Sequence, residues 1–369
     1  MKKIIIAVSL LLTMCIVGLT DEIHLKAEAV PVKSNGKVIY TFDELKDSYI
    51  NNNITYQRKM LSIEQQLVKY EIAKEQLELW DSNGITDKQR SELELQSNLL
   101  SFYKENQDIL IENLKKEYEC NLYKLLAELK ILKEQRTYYY SYKDYLARSL
   151  QVEEVKLKRG RSTRDMVNEI TAAIEGNDAD IANAISEYEE AKEMIYLGNS
   201  KDIVSKVLDN YIGSMVLLVS ENGIKSNAIQ LETELKAKDT QYMEMVNSIH
   251  SYEKYVETLD SSSLLYKQAK LQVLDYKLQL KELEDNIEKY AKKSIGEYHK
   301  AKKYQAASLK KYKVLNKKCL NIKKQYEKGR ASKLAWYESK VKAEEEWQKY
   351  LNYCYQIKVW TYIINNGIS

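Results

Sequence analysis

From residue 32 to residue 369 the chain contains no proline; its single proline is Pro31. Proline is the residue that most reliably interrupts a helix, because it lacks the N–H and clashes with the preceding turn. Its absence over so long a stretch leaves very long helices open to the chain. The accompanying composition is rich in Lys, Glu, Leu and Ala, with thirty tyrosines against two phenylalanines. Such a mixture points to long helices and coiled coil rather than to disorder. Charge is high but balanced at +3, which gives no reason to invoke nucleic acid. Lysine is enriched from Lys302 to Lys324, with glutamates following close behind, and reads as a solvated helix face rather than a phosphate-binding patch.

The apolar periodicity supports helices directly. Val273, Tyr276, Leu280, Leu283 and Ile287 alternate steps of three and four. After one local shift the rhythm returns at Tyr298 and Ala301, then at Tyr312, Leu315, Cys319, Ile322 and Tyr326. This is the 3.5-residue repeat of a coiled-coil seam, interrupted by a stutter. Tyrosine at such positions keeps its ring inside and its hydroxyl near water. The expected helices run from Thr41 to about Trp80, from Thr86 to Arg159, from Lys225 to Thr258 and from Leu264 to Lys328. Thr41 with Glu44, and Thr86 with Gln89, have capping-box spacing. Breaks are expected at Asp81–Ile85 and Asp260–Ser263.

One pattern occurs twice. Lys158-Arg159-Gly160-Arg161-Ser162-Thr163-Arg164 is matched 169 residues later by Glu327-Lys328-Gly329-Arg330-Ala331-Ser332-Lys333. A second glycine follows each at 38 residues, Gly198 and Gly367. The repetition predicts an internal duplication, each half a long helix, a tight Gly-Arg turn and a returning helix. Glycine accepts the left-handed backbone that ends a helix. Ser162 or Thr163, and Ser332, can cap the helix that follows. A well-formed helical hairpin turn accounts for each glycine taken alone.

The N-terminal region reads as an export signal. Lys2 and Lys3 precede an apolar run from Ile4 to Leu19, and Ala27-Glu28-Ala29 has a small-x-small cleavage pattern. An uncleaved anchor is the alternative. Cys15 lacks the preceding small residue of a lipidation site. The expected organisation is a signal over 1–29, a first repeat over 30–199, a connector over 200–223 and a second repeat over 224–369. The connector holds the apolar stretch Gly213–Val219, too short to span a bilayer as a helix.

Chemistry-bearing constellations are lacking. Past the signal, Cys120, Cys319 and Cys354 are an odd number with no CxxC pair, and read as buried small apolar residues. His250 and His299 cannot complete a zinc set. There is no glycine-rich nucleotide loop and no Gly-x-Ser-x-Gly elbow. No catalytic residue, metal or cofactor is expected, and an enzyme is the least favoured class.

Three segments resemble the TolC-like family of outer-membrane efflux proteins. The stretch from Tyr40 to Asn53 is similar to the family's opening segment. Gly160 to Val167 is similar to its hairpin tip, and Gly329 to Ser332 to the second copy of that tip. The resemblance implies an all-α fold of elongated antiparallel coiled-coil hairpins in two internal repeats, the protomer of an α-barrel. It also implies a homotrimer whose tips dock a periplasmic-type adaptor (membrane fusion) protein that joins an inner-membrane pump. By resemblance, Gly160, Arg161, Ser162, Thr163, Gly329, Arg330 and Ser332 form the docking tips. The location implied is the cell envelope: the outer membrane where a cell has one, otherwise the surface or wall. The chain departs from the family where a β-hairpin normally separates the long helices. A membrane strand needs about 9–11 residues, and neither expected break offers them, so the β-barrel is expected to be missing or vestigial. A coiled-coil envelope scaffold and a secreted α-helical pore-forming toxin are the alternatives.

Overall fold

The computed structural model describes residues 42–81, 86–197, 208, 212 and 223–368. The signal, the Thr41 cap, Gly198 and the apolar stretch near Met215 lie outside these residues. Among the described residues all regular structure is α-helical. The helices are α1 (Phe42–Asn52), α2 (Ile54–Asp81), α3 (Asp87–Glu105), α4 (Gln107–Lys158) and α5 (Arg164–Leu197). They continue as α6 (Ala228–Lys238), α7 (Thr240–Thr258), α8 (Leu264–Glu327) and α9 (Lys333–Asn366).

Three of the expected helices are each divided in two. The helix expected from Thr41 to Trp80 breaks at Asn53, whose Oδ1 accepts from Tyr56 N at 3.0 Å and starts α2. The helix expected from Thr86 to Arg159 breaks at Asn106, with φ −113° and ψ 12°. There Nδ2 competes with the backbone by donating to Phe102 O at 2.9 Å. The helix expected from Lys225 to Thr258 breaks at Asp239, whose side chain caps α7 through Tyr242 N at 2.8 Å. Asn227 and Gln230 form a full capping box on α6. Thr86 does precede α3, but its hydroxyl bonds the Gln89 side chain at 2.8 Å instead of the backbone.

The breaks lie where the helices change neighbours. Before Asn106, α3 packs between α2 and α7; after it, α4 packs between α5 and α9. The joint is tied by Asn113 Nδ2 to Lys238 O at 2.7 Å and Tyr103 Oη to Glu244 at 3.0 Å. Two four-helix rows result. One runs α2, α3, α7 and the N-terminal half of α8; the other runs α5, α4, α9 and the C-terminal half of α8. Helix α8 is unbroken over 64 residues, about 96 Å at 1.5 Å per residue.

The seam of α8 is buried or half-buried at every position expected for it. Its shift is one extra step of four between Ile287 and Ala291. Beyond it Ala291, Ser294, Tyr298, Ala301, Gln305 and Ser308 keep the rhythm. Small and polar residues in this stretch hid it from an apolar count. The main cores lie near the change of neighbours. Leu122, Leu126, Leu129, Ile195, Leu208 and Ile212 form one; Leu231, Leu235, Ala291, Ile357 and Ile364 form another. Cys120, Cys319 and Cys354 are free and buried, as the sequence suggests.

Candidate functional site: the hairpin tips

Both long helices end in the same hydrogen-bonded turn. At the first tip Gly160 N donates to Leu157 O at 2.9 Å and Arg161 N to Lys156 O at 2.8 Å. At the second, Gly329 N donates to Tyr326 O and Arg330 N to Gln325 O, both at 2.8 Å. This pair of bonds is the Schellman motif, with glycine as the left-handed residue. The φ values are 65° at Gly160 and 70° at Gly329. An added Cβ at either glycine would meet nothing within 4 Å. Backbone conformation alone therefore demands glycine here.

The returning helices are capped at equivalent positions. Thr163 Oγ1 accepts from Met166 N at 3.3 Å, and Ser332 Oγ accepts from Ala335 N at 3.0 Å. Ser162, the other capping candidate, is used differently: its hydroxyl donates to Glu153 Oε2 at 2.8 Å across the turn. Lys156 reaches the other Glu153 oxygen at 2.5 Å. These bonds, from Lys156 first and Ser162 second, hold the Glu153 carboxyl below its ordinary pKa.

The second tip is braced by rings instead. Trp336 stacks on Tyr326 at 5.5 Å and on Tyr337 at 5.3 Å. Lys323 lies 5.7 Å from the Trp336 ring centroid, a cation–π arrangement. Sequence reasoning missed both braces. Tyr326 and Trp336 straddle Gly329 at distances that only an antiparallel hairpin brings together. Arg161 and Arg330 are exposed, as are Lys158, Arg159, Arg164, Lys324, Lys328 and Lys333 around them. Each tip is therefore a basic knob. Basic residues at the ends of α4 and α8 also complement the negative ends of the helix dipoles. No group of acidic, histidine and cysteine side chains able to hold a metal occurs among the described residues, and no described helix is long and apolar enough to cross a membrane.

No family model and no curated protein matches the sequence. Solved structures do match the fold. A membrane protein from Pseudomonas aeruginosa aligns at a TM-score of 0.56 with 8% identity, over 89% of this chain and 92% of that one. CusC, described through its transmembrane channel formation, aligns at 0.55 with 12% identity, over 88% and 95%. The Campylobacter jejuni CmeC outer membrane channel aligns at 0.52 with 11% identity, over 92% and 91%. The chain thus has the TolC-like fold, carried here on helices alone among its described residues.

Proposed function

We propose that this chain is a non-enzymatic component of an efflux or export assembly in the cell envelope. In this reading three copies close into a helical conduit whose basic tips dock an adaptor protein, and the adaptor couples it to an inner-membrane pump. The observation that carries the proposal is the state of the edges of the α2–α3–α7–α8 row. Helix α2 turns Tyr56, Met60 and Ile63 inward, yet exposes Ile54, Leu61, Val68, Ile72 and Leu79 at 44–64% on its outer side. At the other edge α8 exposes Leu264, Leu271, Leu274 and Leu278 at 54–82%. Each stripe keeps heptad spacing opposite a filled seam. Two unlike apolar edges are satisfied together when one copy's α2 meets the next copy's α8. Such head-to-tail contacts build rings when the rotation closes.

The tips supply the second surface. Exposed guanidinium groups at Arg161 and Arg330 suit partner carboxylates. Two measurements test the proposal. Sedimentation of the mature protein across concentration is expected to show self-association that stops at three copies; a monomer throughout overturns the conduit. Pull-down of a candidate periplasmic-type adaptor protein is expected to fail for R161E/R330E at unchanged helicity, because charge reversal places repulsion at the contact. Equal capture by both forms removes the tips from docking.

A further inference from the structure

The outer face of α8 changes character along its length. Opposite the inner seam, one heptad position reads Leu264, Leu271 and Leu278. Beyond the shift at Ile287–Ala291 the same outward line reads Gly296, Lys303, Lys310, Lys317 and Lys324. From Ala291 to Glu327 this helix holds twelve lysines and two glutamates, a formal +10. The four heptad lysines are exposed and have no ion-pair partner among the described residues. The salt bridges of this half run instead from Lys292 to Glu288, Lys300 to Glu297 and Lys311 to Glu346.

The opposite edge of the same row is α5, and it has the reverse character. It carries nine acidic and two basic residues, a formal −7. Its inner seam, at Ile174, Asn177, Ile181, Ala184 and Tyr188, faces α4. On its outer face Ala172, Gly176, Ala179, Asn183 and Ser186 step by four and three, all exposed. Exposed Glu169, Glu175, Glu190 and Glu193 flank this line. Gly176 sits mid-helix with nothing within 4 Å of an added Cβ. Glycine at such a place costs about 1 kcal/mol against alanine, and nothing within the protomer requires it.

We infer that the lysine face of α8 docks on the small, glutamate-flanked face of α5 of the next copy, making the tip-proximal half of the contact between copies electrostatic. The inference rests on the proposed conduit, and it names the chemistry of one half of its seam. Lysine stems lie across alanine and glycine, which let the backbones approach, while the ammonium groups reach the flanking carboxylates. Like edges repel, so the pairing runs only head to tail. The far half, built on leucine, is indifferent to salt; the tip half is weakened by it, because screening shortens the reach of exposed charges.

The test is self-association measured by sedimentation at equal helicity. The wild-type protein is expected to associate at least tenfold more weakly at 0.5 M than at 0.05 M NaCl. K303E/K310E/K317E/K324E is expected to lose at least tenfold at low salt, as is E169K/E175K/E190K/E193K. Combining the eight changes exchanges the two edges and restores association. Wild-type oligomers that neither four-fold variant weakens overturn this inference and leave the conduit standing. Failure of the combined variant to recover, with each parent weakened and folded, overturns the pairing of these two faces. A wild type that is monomeric at every salt concentration overturns the conduit reading itself.

Discussion

Glu346 gives a measurable test of how α8 and α9 are held together. Its side chain is 6% exposed, and its oxygens accept from Ser308 Oγ at 3.0 Å and Lys311 Nζ at 2.7 Å. Burial pushes its carboxyl pKa up, but the bonds from Lys311 and Ser308 outweigh burial and bring it below the ordinary value. Lys311 is 62% exposed, so water solvates its ammonium with or without the pair, and the net worth of that contact is discounted. Ser308 is buried and is the sole described partner of Oε1. Ser308→Ala removes one hydroxyl, opens almost no cavity and leaves a charged oxygen unpaired, at a cost of about 1–3 kcal/mol. Ser294→Ala is the control. That serine is also buried, but its hydroxyl donates to Tyr290 O of its own helix, at 2.8 Å, and faces no carboxylate, so its loss leaves no charge unpaired and costs under about 1 kcal/mol. The sign of the pH effect follows from the depressed carboxyl pKa. The carboxylate's stabilising contribution is present above the unfolded value of about 4.3 and is lost as pH falls through the folded value. The S308A penalty is therefore expected at pH 7 and should shrink toward pH 3.5, while that of S294A stays level. Urea unfolding with hydrogen exchange on α9 amides reads both. Equal penalties for the two variants at pH 7, or an S308A penalty independent of pH, would refute the reasoning.

Two further outcomes are expected within the protomer. Gly160→Ala and Gly329→Ala should each cost about 1 kcal/mol in denaturant unfolding, since both turns need positive φ and neither gives a methyl group anything to pack on; a cost at either site below about 0.3 kcal/mol would count against the left-handed turn there. Glu344 has its carboxyl pKa raised by burial, so the wild-type contribution is present below the unfolded value and is lost as pH rises through the folded one. Glu344→Gln should remove that slope and gain under about 1 kcal/mol at pH 7, a small figure because the side chain is one-quarter exposed. A loss of stability at pH 7 would show that the carboxylate is better satisfied than its surroundings indicate.

The parts of the fold legible in the sequence are those set by local backbone chemistry and by period. Gly160 and Gly329 stand out because a left-handed turn disfavours residues with a Cβ, and their matched surroundings announce two equivalent tips. Ser263 caps α8 through Tyr266 N at 3.1 Å, where a run of Asp and Ser already signals a start. The breaks at Asn53, Asn106 and Asp239 are a different case. A lone Asn or Asp in a polar helical run looks like any solvent-facing residue. What makes Asn106 a break is that the chain before it packs on α2 and α7, and the chain after it on α5 and α9. That choice of partner is tertiary. The tip braces are hidden for the same reason, since Ser162 finds Glu153, and Trp336 finds Tyr326, only once the hairpin has closed. The charged edges are intermediate. The lysine content of α8 is plain in the sequence, but that its heptad lysines share one outward line is plain only after the inner seam has been phased through the shift at Ile287.

The turn between α7 and α8 bears on how strongly copies can associate. Asp260 to Ser263 closes on itself, with Asp260 Oδ1 accepting from Ser262 N at 2.9 Å and Ser263 capping α8. Four residues contribute no membrane strand, which takes about 9–11. In the proposed conduit this turn offers no inserted strands to join one copy to the next, and the work falls to helix edges. The exposed fractions of the nine apolar residues on α2 and α8 amount to about five fully exposed side chains. At ~1.5–3 kcal/mol each, a contact covering them gains roughly 8–15 kcal/mol before costs, against about 4–15 kcal/mol for lost freedom on association. Across these ranges the surplus runs from none to about 11 kcal/mol, and the charged half of the edge adds a salt-dependent increment. Association of the isolated protein is therefore expected in the micromolar range, about −8 kcal/mol per contact. Mass photometry at nanomolar concentration should find mostly monomer, and sedimentation at tens of micromolar should find trimer. A trimer that persists at nanomolar concentration would mean that contacts beyond these edges hold the copies together. Absence of any association at 100 µM in low salt would mean that the apolar stripes face something other than a second copy.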